Sequence, residues 1–301
     1  MPTGQDRSHH HMMPFLAVAA GIASFSVMDG LMKGASLAIG AYSAMLWRSL
    51  VSVTVMIPLW RLRGGIWPRG ETMRLHAMRG LNSAFMATTF FWGLKYLPLA
   101  EGMAISFIAP LIALYLAAVL LGEKIGRRAI FASALGLAGV VVIAAGRLGQ
   151  GGYDSQAAWG IASILASAVL YAWNLILQRR QALLAGPTEV AAFQALFTSL
   201  FLGLAAPWLV VVPDLPVLGH VAGSAVLATI SLMLISWGYG REETQVLLPL
   251  EYSAFIWAAI IGWVMFGETL TLPTVAGAVL IVIGCWIATR KQAAHTEQTA
   301  L

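Results

Sequence analysis

Residues 107–123 read FIAPLIALYLAAVLLGE, and 145 positions later residues 252–268 read YSAFIWAAIIGWVMFGE. The two stretches align apolar for apolar, with one polar step where Ile108 meets Ser253, and both end in a Gly-Glu pair. The same shift brings Asp29 onto Asn174. Long apolar runs without a charge are typical of membrane-spanning helices. Their recurrence at a fixed offset indicates that the chain is built from two similar halves.

The composition of the whole chain indicates an integral membrane protein. Of its 301 residues, 59% are hydrophobic and 10% are charged, and the mean hydropathy is +0.80. Soluble globular chains carry roughly 25% charged residues, which excludes a water-soluble fold. The net charge of +5 does not indicate nucleic-acid binding, because the basic residues lie in short loops between apolar runs. Cys285 is the single cysteine, which excludes a disulfide framework and a cysteine-based metal site.

Ten apolar runs approach the length of about 20 residues that a helix needs to cross a bilayer. The alternation of a barrel strand is absent, and no loop is long enough for a soluble domain. The sequence therefore predicts an all-α integral membrane protein with ten transmembrane helices. The predicted spans are residues 14–37, 41–60, 74–94, 98–121, 126–146, 157–178, 188–212, 219–239, 246–266 and 271–289.

The distribution of Lys and Arg predicts the orientation of these spans. With the N-terminus inside, the outer segments hold only Lys95 and Arg147. The inner segments hold Arg7, Arg61, Arg63, Arg69, Arg74, Lys124, Arg127, Arg128, Arg179, Arg180, Arg241, Arg290 and Lys291. Because cytoplasmic loops carry the excess of positive charge, both termini are predicted to face the cytoplasm.

Each copy of the repeat contains five predicted spans. Because five is odd, the second copy enters the membrane upside down, which gives two inverted five-helix repeats. Inverted repeats are typical of secondary transporters, whose substrate site lies near the midplane between the halves. Exchanging the conformations of the two halves converts an inward-open state into an outward-open one. We therefore predict transport by alternating access. An ATP-driven pump is disfavoured, because no phosphate-binding Gly-rich loop with a lysine is present.

The paired Gly-Glu motif within ten spans resembles the EamA-type transporters of the drug/metabolite transporter superfamily. Residues 109–124 and 251–269 carry the resemblance, which covers roughly residues 14–290. Residues 28–33 and the pair Trp47-Arg48 also resemble a bacterial subgroup that includes proposed riboflavin and S-adenosylmethionine carriers.

The resemblance implies a multi-pass carrier of the bacterial inner membrane that moves small metabolites, often as an exporter of amino acids or amphipathic compounds. No cofactor is predicted. It divides the chain into a cytoplasmic tail, a five-helix repeat, a connecting loop, a second five-helix repeat and another cytoplasmic tail. Their predicted bounds are residues 1–13, 14–147, 148–156, 157–290 and 291–301.

Three charged residues lie within the first two predicted spans, where a charge is costly. Asp29 and Lys33 are four residues apart and share one helix face, and Arg48 reaches a similar depth on the second span. One interpretation is a substrate-binding or gating cluster in which Asp29 accepts a coupling proton. The alternative is an internal salt bridge that joins the first two spans.

Arg79 and Glu251 lie at similar depths from the cytoplasmic side, on the third and ninth spans. A contact between them would form an inner gate between the halves. Alternatively, Arg79 snorkels to the headgroups. Glu101 lies in the first turn of the fourth span, where a carboxylate suits the helix dipole. It is also a candidate partner for Arg48 or Lys33. Glu268 is interpreted as a cap or loop organiser at a helix end.

Further polar and aromatic residues are candidates for the cavity wall: Asn82, Tyr171, Asn174, Trp237 and Tyr252. The alternative for the aromatic residues is a place in the core or at the membrane interface.

Pro110 and Pro249 are candidate hinges, although proline is also tolerated in membrane helices without such a role. Small residues at positions 132, 136 and 139, and at 277 and 284, predict close helix packing, either within the chain or in a homodimer.

The predicted function is secondary transport of an amphipathic or zwitterionic metabolite, with export favoured by the resemblance. The partners are a small-molecule substrate and the bilayer, without nucleic acid. One alternative is an importer of a cofactor-type metabolite such as S-adenosylmethionine or riboflavin. An intramembrane enzyme is disfavoured, because no histidine lies well inside a span and no acid pair for Mg²⁺ is present. A scaffold is disfavoured, because it has no need of pseudo-symmetric halves.

Overall fold

A computed structural model describes residues 4–121, 127–148, 155–239, 241, 247 and 250–297. Within these ranges the chain is helical, with turns and loops and without strands. The helices are α1 (Gly4–Ile39), α2 (Ala41–Leu62), α3 (Glu71–Gly93), α4 (Leu99–Ser106), α5 (Ala109–Leu121), α6 (Arg127–Leu148), α7 (Ser155–Ala182), α8 (Pro187–Gly203), α9 (Ala206–Leu209), α10 (Leu215–Tyr239), α11 (Ala254–Phe266) and α12 (Leu272–Glu297).

Five segments in the described ranges are long and apolar enough to cross a membrane. They are Met13–Ile39, Ala41–Leu62, Ile130–Arg147, Ser155–Gln178 and Leu215–Ile235. Shorter apolar helices occupy Leu99–Ala113, Ala254–Phe266 and Leu272–Ile287. The structure is therefore that of an all-helical membrane protein, and the number of ten spans stays a prediction.

Several helix boundaries differ from the predicted spans. Helix α1 begins at Gly4, ahead of the apolar run at residue 14. The fourth predicted span is two helices, because the chain turns at Phe107 and Ile108 between α4 and α5. Pro110 lies in the first turn of α5, where its missing N–H costs no helical hydrogen bond.

The seventh predicted span is also shorter than expected, and the ninth is interrupted. Helix α8 ends at Gly203, and the short α9 is followed by extended backbone at Val210. Helix α11 begins at Ala254, after turns at residues 252 and 253. Pro249, the second predicted hinge, lies outside the described residues.

The helix bounds follow the 145-residue offset. Helix α5 covers Ala109–Leu121 and α11 covers Ala254–Phe266, which is the same range shifted by 145. Contacts between helices follow it as well: α1 packs against α10, and the equivalent pair α7 and α3 also pack together. Helix α2 packs against its own equivalent α8, and α6 against its equivalent α12. Each half therefore buries its helices mainly against the other half.

The predicted small-residue faces form the contact between α6 and α12. A Cβ atom added at Gly139 would lie 2.5 Å from the carbonyl oxygen of Gly277, and one at Gly284 would lie 2.7 Å from the carbonyl oxygen of Ala132. Two helix backbones can approach this closely only where side chains are absent. In this structure the faces serve packing between the halves of one chain.

Candidate functional site

Glu268 owes its position to the residue before it. Gly267 follows the last residue of α11 with φ +65°, a left-handed conformation that favours glycine. The turn lets the amides of Gly267 and Glu268 donate to the carbonyl oxygens of Trp263 and Gly262. The chain thus leaves α11 abruptly, and the Glu268 side chain points back into the helix bundle towards α1 and α4.

Two polar clusters are named here outer and inner after the predicted orientation of the spans. The outer cluster consists of Lys33, Glu268, Leu97 and Leu99. The buried ammonium of Lys33 donates to Glu268 Oε1, with which it forms an ion pair, and to the carbonyl oxygen of Leu97 at 2.6 Å. The Leu99 amide, at the start of α4, donates to Glu268 Oε2 at 2.7 Å. Both carboxylate oxygens of Glu268 are occupied, so this side chain joins α1 of the first half to the start of α4 and the end of α11.

Glu101 lies in the first turn of α4, as predicted from the sequence, and is 3% exposed. Its Oε1 accepts a hydrogen bond from Thr274 Oγ1 at 3.0 Å, and its Oε2 lies 3.8 Å from Arg147 Nε. Among the described contacts, its ion-pair partner is therefore Arg147 instead of Lys33 or Arg48. These contacts join α4 to α6 and α12.

Asp29 lies one turn before Lys33 on α1, but the two have different partners. Asp29 is 3% exposed and interacts electrostatically with Arg48 of α2. The Arg48 guanidinium donates to the thioether sulfur of Met28 at 3.4 Å. The structure thus brings Asp29 near Arg48, while Lys33 is directed to Glu268.

The second polar cluster, here called the inner cluster, consists of His76, Arg79, Asn174, Gln181 and Glu189. Arg79 donates through Nε to Asn174 Oδ1 at 3.2 Å and through a terminal nitrogen to Gln181 Oε1. His76 is fully buried and lies within hydrogen-bonding distance of Gln181 at 2.5 Å and of Glu189 at 3.2 Å. These side chains join α3 of the first half to α7 and α8 of the second.

Tyr171 lies beside the inner cluster and connects two predicted site residues. It interacts electrostatically with both Arg79 and Glu251, and Glu251 also acts on Tyr252. The ring of Tyr252 packs edge-on against Phe107, in the turn between α4 and α5, with 5.7 Å between ring centroids. The inner gate between Arg79 and Glu251 stays a prediction.

The remaining predicted site residues lie apart from both clusters. Asn82 donates to the carbonyl oxygen of Leu170 at 3.0 Å, a hydrogen bond between α3 and α7. Trp237 is 39% exposed, and the guanidinium of Arg241 lies 4.1 Å from its ring. Within the described residues, no group of three His, Cys, Asp or Glu side chains could hold a metal ion.

Sequence reasoning did not assign a role to His76 or Gln181. The spacing of these residues could have indicated the cluster. His76 and Arg79 are three residues apart on α3, and Asn174 and Gln181 are seven apart on α7. These spacings put each pair on one helix face. What the spacing cannot provide is the knowledge that these two faces meet.

Gln181→Leu tests the inner cluster. The variant removes one partner from Arg79 and one from His76 and leaves their polar atoms buried, which costs about 2 kcal/mol of unfolding free energy. We expect a lower melting temperature in detergent micelles. Gln178→Leu is the matched control, since Gln178 is exposed on the same helix and its replacement is expected to change stability by less than about 0.5 kcal/mol. Equal melting temperatures for both variants would contradict the prediction.

Comparison with known proteins identifies the family. The EamA-like transporter family matches twice, at residues 12–145 and 158–290. The pseudopaline exporter CntI of Pseudomonas aeruginosa (strain UCBPP-PA14) is 24% identical over 272 residues, which cover 90% of this chain and 93% of that protein. An uncharacterized transporter of Helicobacter pylori (strain J99) is 26% identical over 218 residues, covering 68% and 70%.

A solved crystal structure shares the fold, with a TM-score of 0.60 and 23% identity over 92% of this chain and 96% of the other. The two family matches confirm the resemblance seen in the Gly-Glu motifs, which lie in the two matched segments. The chain belongs to the EamA-like transporter family and carries two copies of its domain.

Proposed function

We propose that this protein is a secondary active transporter that exports a small amphipathic or zwitterionic metabolite across the bacterial inner membrane by alternating access. The observation that carries the proposal is the position of the outer and inner clusters. Leu97 follows the end of α3, and His76 and Arg79 lie near its start. Each cluster joins one half of the chain to the other, so each can close one end of a path between the halves.

Two such closures at opposite ends are what alternating access requires. Breaking the outer cluster frees α1 from the α11 end, whereas breaking the inner cluster frees α3 from α7 and α8. If only one cluster is broken at a time, the path is never open to both sides at once. The 145-residue correspondence of the helices supports this scheme, since similar halves can exchange conformations.

The direction and the substrate class have separate support. The relative whose alignment covers 90% of this chain is an exporter of pseudopaline. Charges of both signs in the first half, the buried Asp29 and Lys33 and the partly buried Arg48, suit a substrate that carries both signs. The excess of Lys and Arg on one side of the predicted spans supports cytoplasmic termini.

Solute flux in proteoliposomes tests the proposal. Purified protein is reconstituted, and the vesicles are loaded with amino acids, pseudopaline, riboflavin or S-adenosylmethionine, with and without a pH gradient. We expect saturable efflux of at least one zwitterion, and a dependence on the gradient if protons are coupled. Asp29→Asn is measured in parallel, and normal transport by this variant at every gradient would contradict proton coupling through Asp29.

The control for alternating access is a cross-link across the inner cluster. Cysteines at positions 76 and 181 are joined by a bifunctional thiol reagent, and each single cysteine variant is treated in the same way. Flux that stops only in the double variant supports the scheme. Folded protein that moves none of the compounds, or flux unaffected by the cross-link, would contradict it.

A further inference from the structure

Asp29 and Arg48 differ from the other charged side chains of the helix bundle. Lys33 has Glu268, Arg79 has Asn174 and Gln181, and Glu101 has Thr274 and Arg147. Within the described residues, the Asp29 carboxylate has no hydrogen bond and no direct ion pair. The Arg48 guanidinium has one hydrogen bond there, to the weakly accepting sulfur of Met28.

This arrangement is costly in a protein that lies in a bilayer. Asp29 is 3% exposed, and within the described residues its carboxylate has no donor to replace most of the water it has lost. Arg48 carries five N–H donors, and a thioether is a poor acceptor for them. Buried charges are normally paired, and an unpaired one inside a membrane protein is by default a functional site.

The two charges lie close together, because the Arg48 guanidinium contacts Met28, the residue before Asp29. They act on each other electrostatically, and the described residues show no direct ion pair between them. A third unsatisfied group lies nearby in sequence: the buried Ser26 hydroxyl has no hydrogen-bond partner in the described structure. Ser26 is three residues before Asp29, on the same face of α1.

The two residues also lie at the depth expected for a substrate site. Asp29 and Arg48 lie near the middles of the first two predicted spans, within about 5 Å of the midplane at 1.5 Å per helical residue. The substrate site of transporters with inverted repeats is expected at that depth. Lys33 lies one turn further out and is already neutralised by Glu268. Lys33 is therefore suited to closing the path, and Asp29 and Arg48 are suited to binding the substrate.

We propose that Asp29 and Arg48 form the headgroup site for a zwitterionic substrate: Asp29 binds its ammonium group and Arg48 binds its carboxylate. The inference rests on the proposed function and assigns the two charges of the substrate to two residues. An α-amino acid group presents both charges a few ångströms apart and satisfies both side chains at once. A guanidinium binds a carboxylate through two parallel hydrogen bonds, which fixes the orientation of the substrate.

Binding of charge-deleted analogues tests this site without relying on a variant. The full chain in lipid nanodiscs is titrated with the twenty proteinogenic L-amino acids by calorimetry. Each binder is then compared with its methyl ester, which lacks the carboxylate, and its N-acetyl derivative, which lacks the ammonium. We expect at least one amino acid to bind, and both derivatives to bind at least about 100-fold more weakly, because one charge of the site is left unpaired in each case.

Two variants test which residue binds the ammonium and which binds the carboxylate of the substrate. In Asp29→Asn, N-acetylation of the amino acid is expected to weaken binding by less than about tenfold, while esterification still weakens it as in the unmodified protein. In Arg48→Gln the two losses of affinity are expected to be reversed. Asp29→Glu and Arg48→Lys keep the charges, so both losses of affinity should persist in them. Gln178→Leu, on an exposed position of α7, is expected to change neither.

Three results would overturn the assignment. They are the absence of binding by all twenty amino acids, derivatives that bind as tightly as their parents, and variants that leave both losses of affinity unchanged. Failure here is distinguishable from failure of the proposed function. Saturable flux of riboflavin without amino-acid binding would keep the transporter and remove this site. Absence of flux for every compound would contradict transport itself.

Discussion

Replacing Glu268 by alanine is expected to lower the free energy of unfolding by about 2–4 kcal/mol. The variant leaves the Lys33 ammonium with a single acceptor, the carbonyl oxygen of Leu97, in a position that is 4% exposed. It also removes the acceptor of the Leu99 amide at the start of α4. The expected loss of unfolding free energy is smaller than for a fully buried ion pair, because the Glu268 side chain is 17% exposed and water compensates part of the loss.

Two measurements check this result. One is the melting temperature in detergent micelles, for which the exposed neighbour variant Thr269→Ala is the control. The other is the reaction of Lys33 with an amine reagent that cannot cross the membrane. Lys33 is expected to be protected in the unmodified protein and to react in Glu268→Ala from one side only. A melting temperature equal to that of Thr269→Ala would show that the ion pair does not hold the helices together.

Replacing Gly139 by leucine is expected to have an effect of similar size, about 3 kcal/mol. Its Cβ would meet the Gly277 carbonyl oxygen at 2.5 Å and Ile281 Cγ1 at 2.6 Å. The first of these atoms belongs to the backbone and cannot rotate away. Helices α6 and α12 would have to separate, and close packing of small residues is a main source of helix association in a membrane.

Gly203→Leu is the matched control for Gly139→Leu. Gly203 is the last residue of α8, and a Cβ added there has no neighbouring atom within 4 Å. Leucine is a better helix former than glycine, so this variant is expected to be neutral or slightly stabilising. If both variants unfold at the same temperature in micelles, the α6–α12 contact is not the tight interface described above.

Hydrophobicity predicts much of this fold, because a bilayer requires every spanning segment to satisfy its own backbone. The family and the helical class follow from the apolar runs and the two Gly-Glu motifs. Pro110 was a candidate hinge in the fourth predicted span, and the chain turns just before it, at Phe107 and Ile108. A proline can sit in the first turn of a new helix or kink a continuous one, and the sequence does not distinguish the two.

The partners of the buried charges could be predicted only in part. Sequence gives an expected depth in the membrane, which for Lys33 and Arg48 stays a prediction. It does not give the rotation of a helix about its axis when the helix is apolar on most sides. The sequence therefore did not identify Glu268 as the partner of Lys33. Glu268 lies 235 residues away, and the direction of its side chain depends on the left-handed turn at Gly267.

This long separation has a consequence for biosynthesis. Helix α1 is made first, but Lys33 is neutralised by a residue 235 positions later. At ribosomal speeds of about 5–20 residues per second, the interval is about 10–50 s. During that time the lysine resides in the bilayer without its carboxylate, and only its flexible stem can carry the ammonium towards the headgroups. We therefore expect α1 to insert before its final contacts exist, and to pack against the turn after α11 only once that turn has been made.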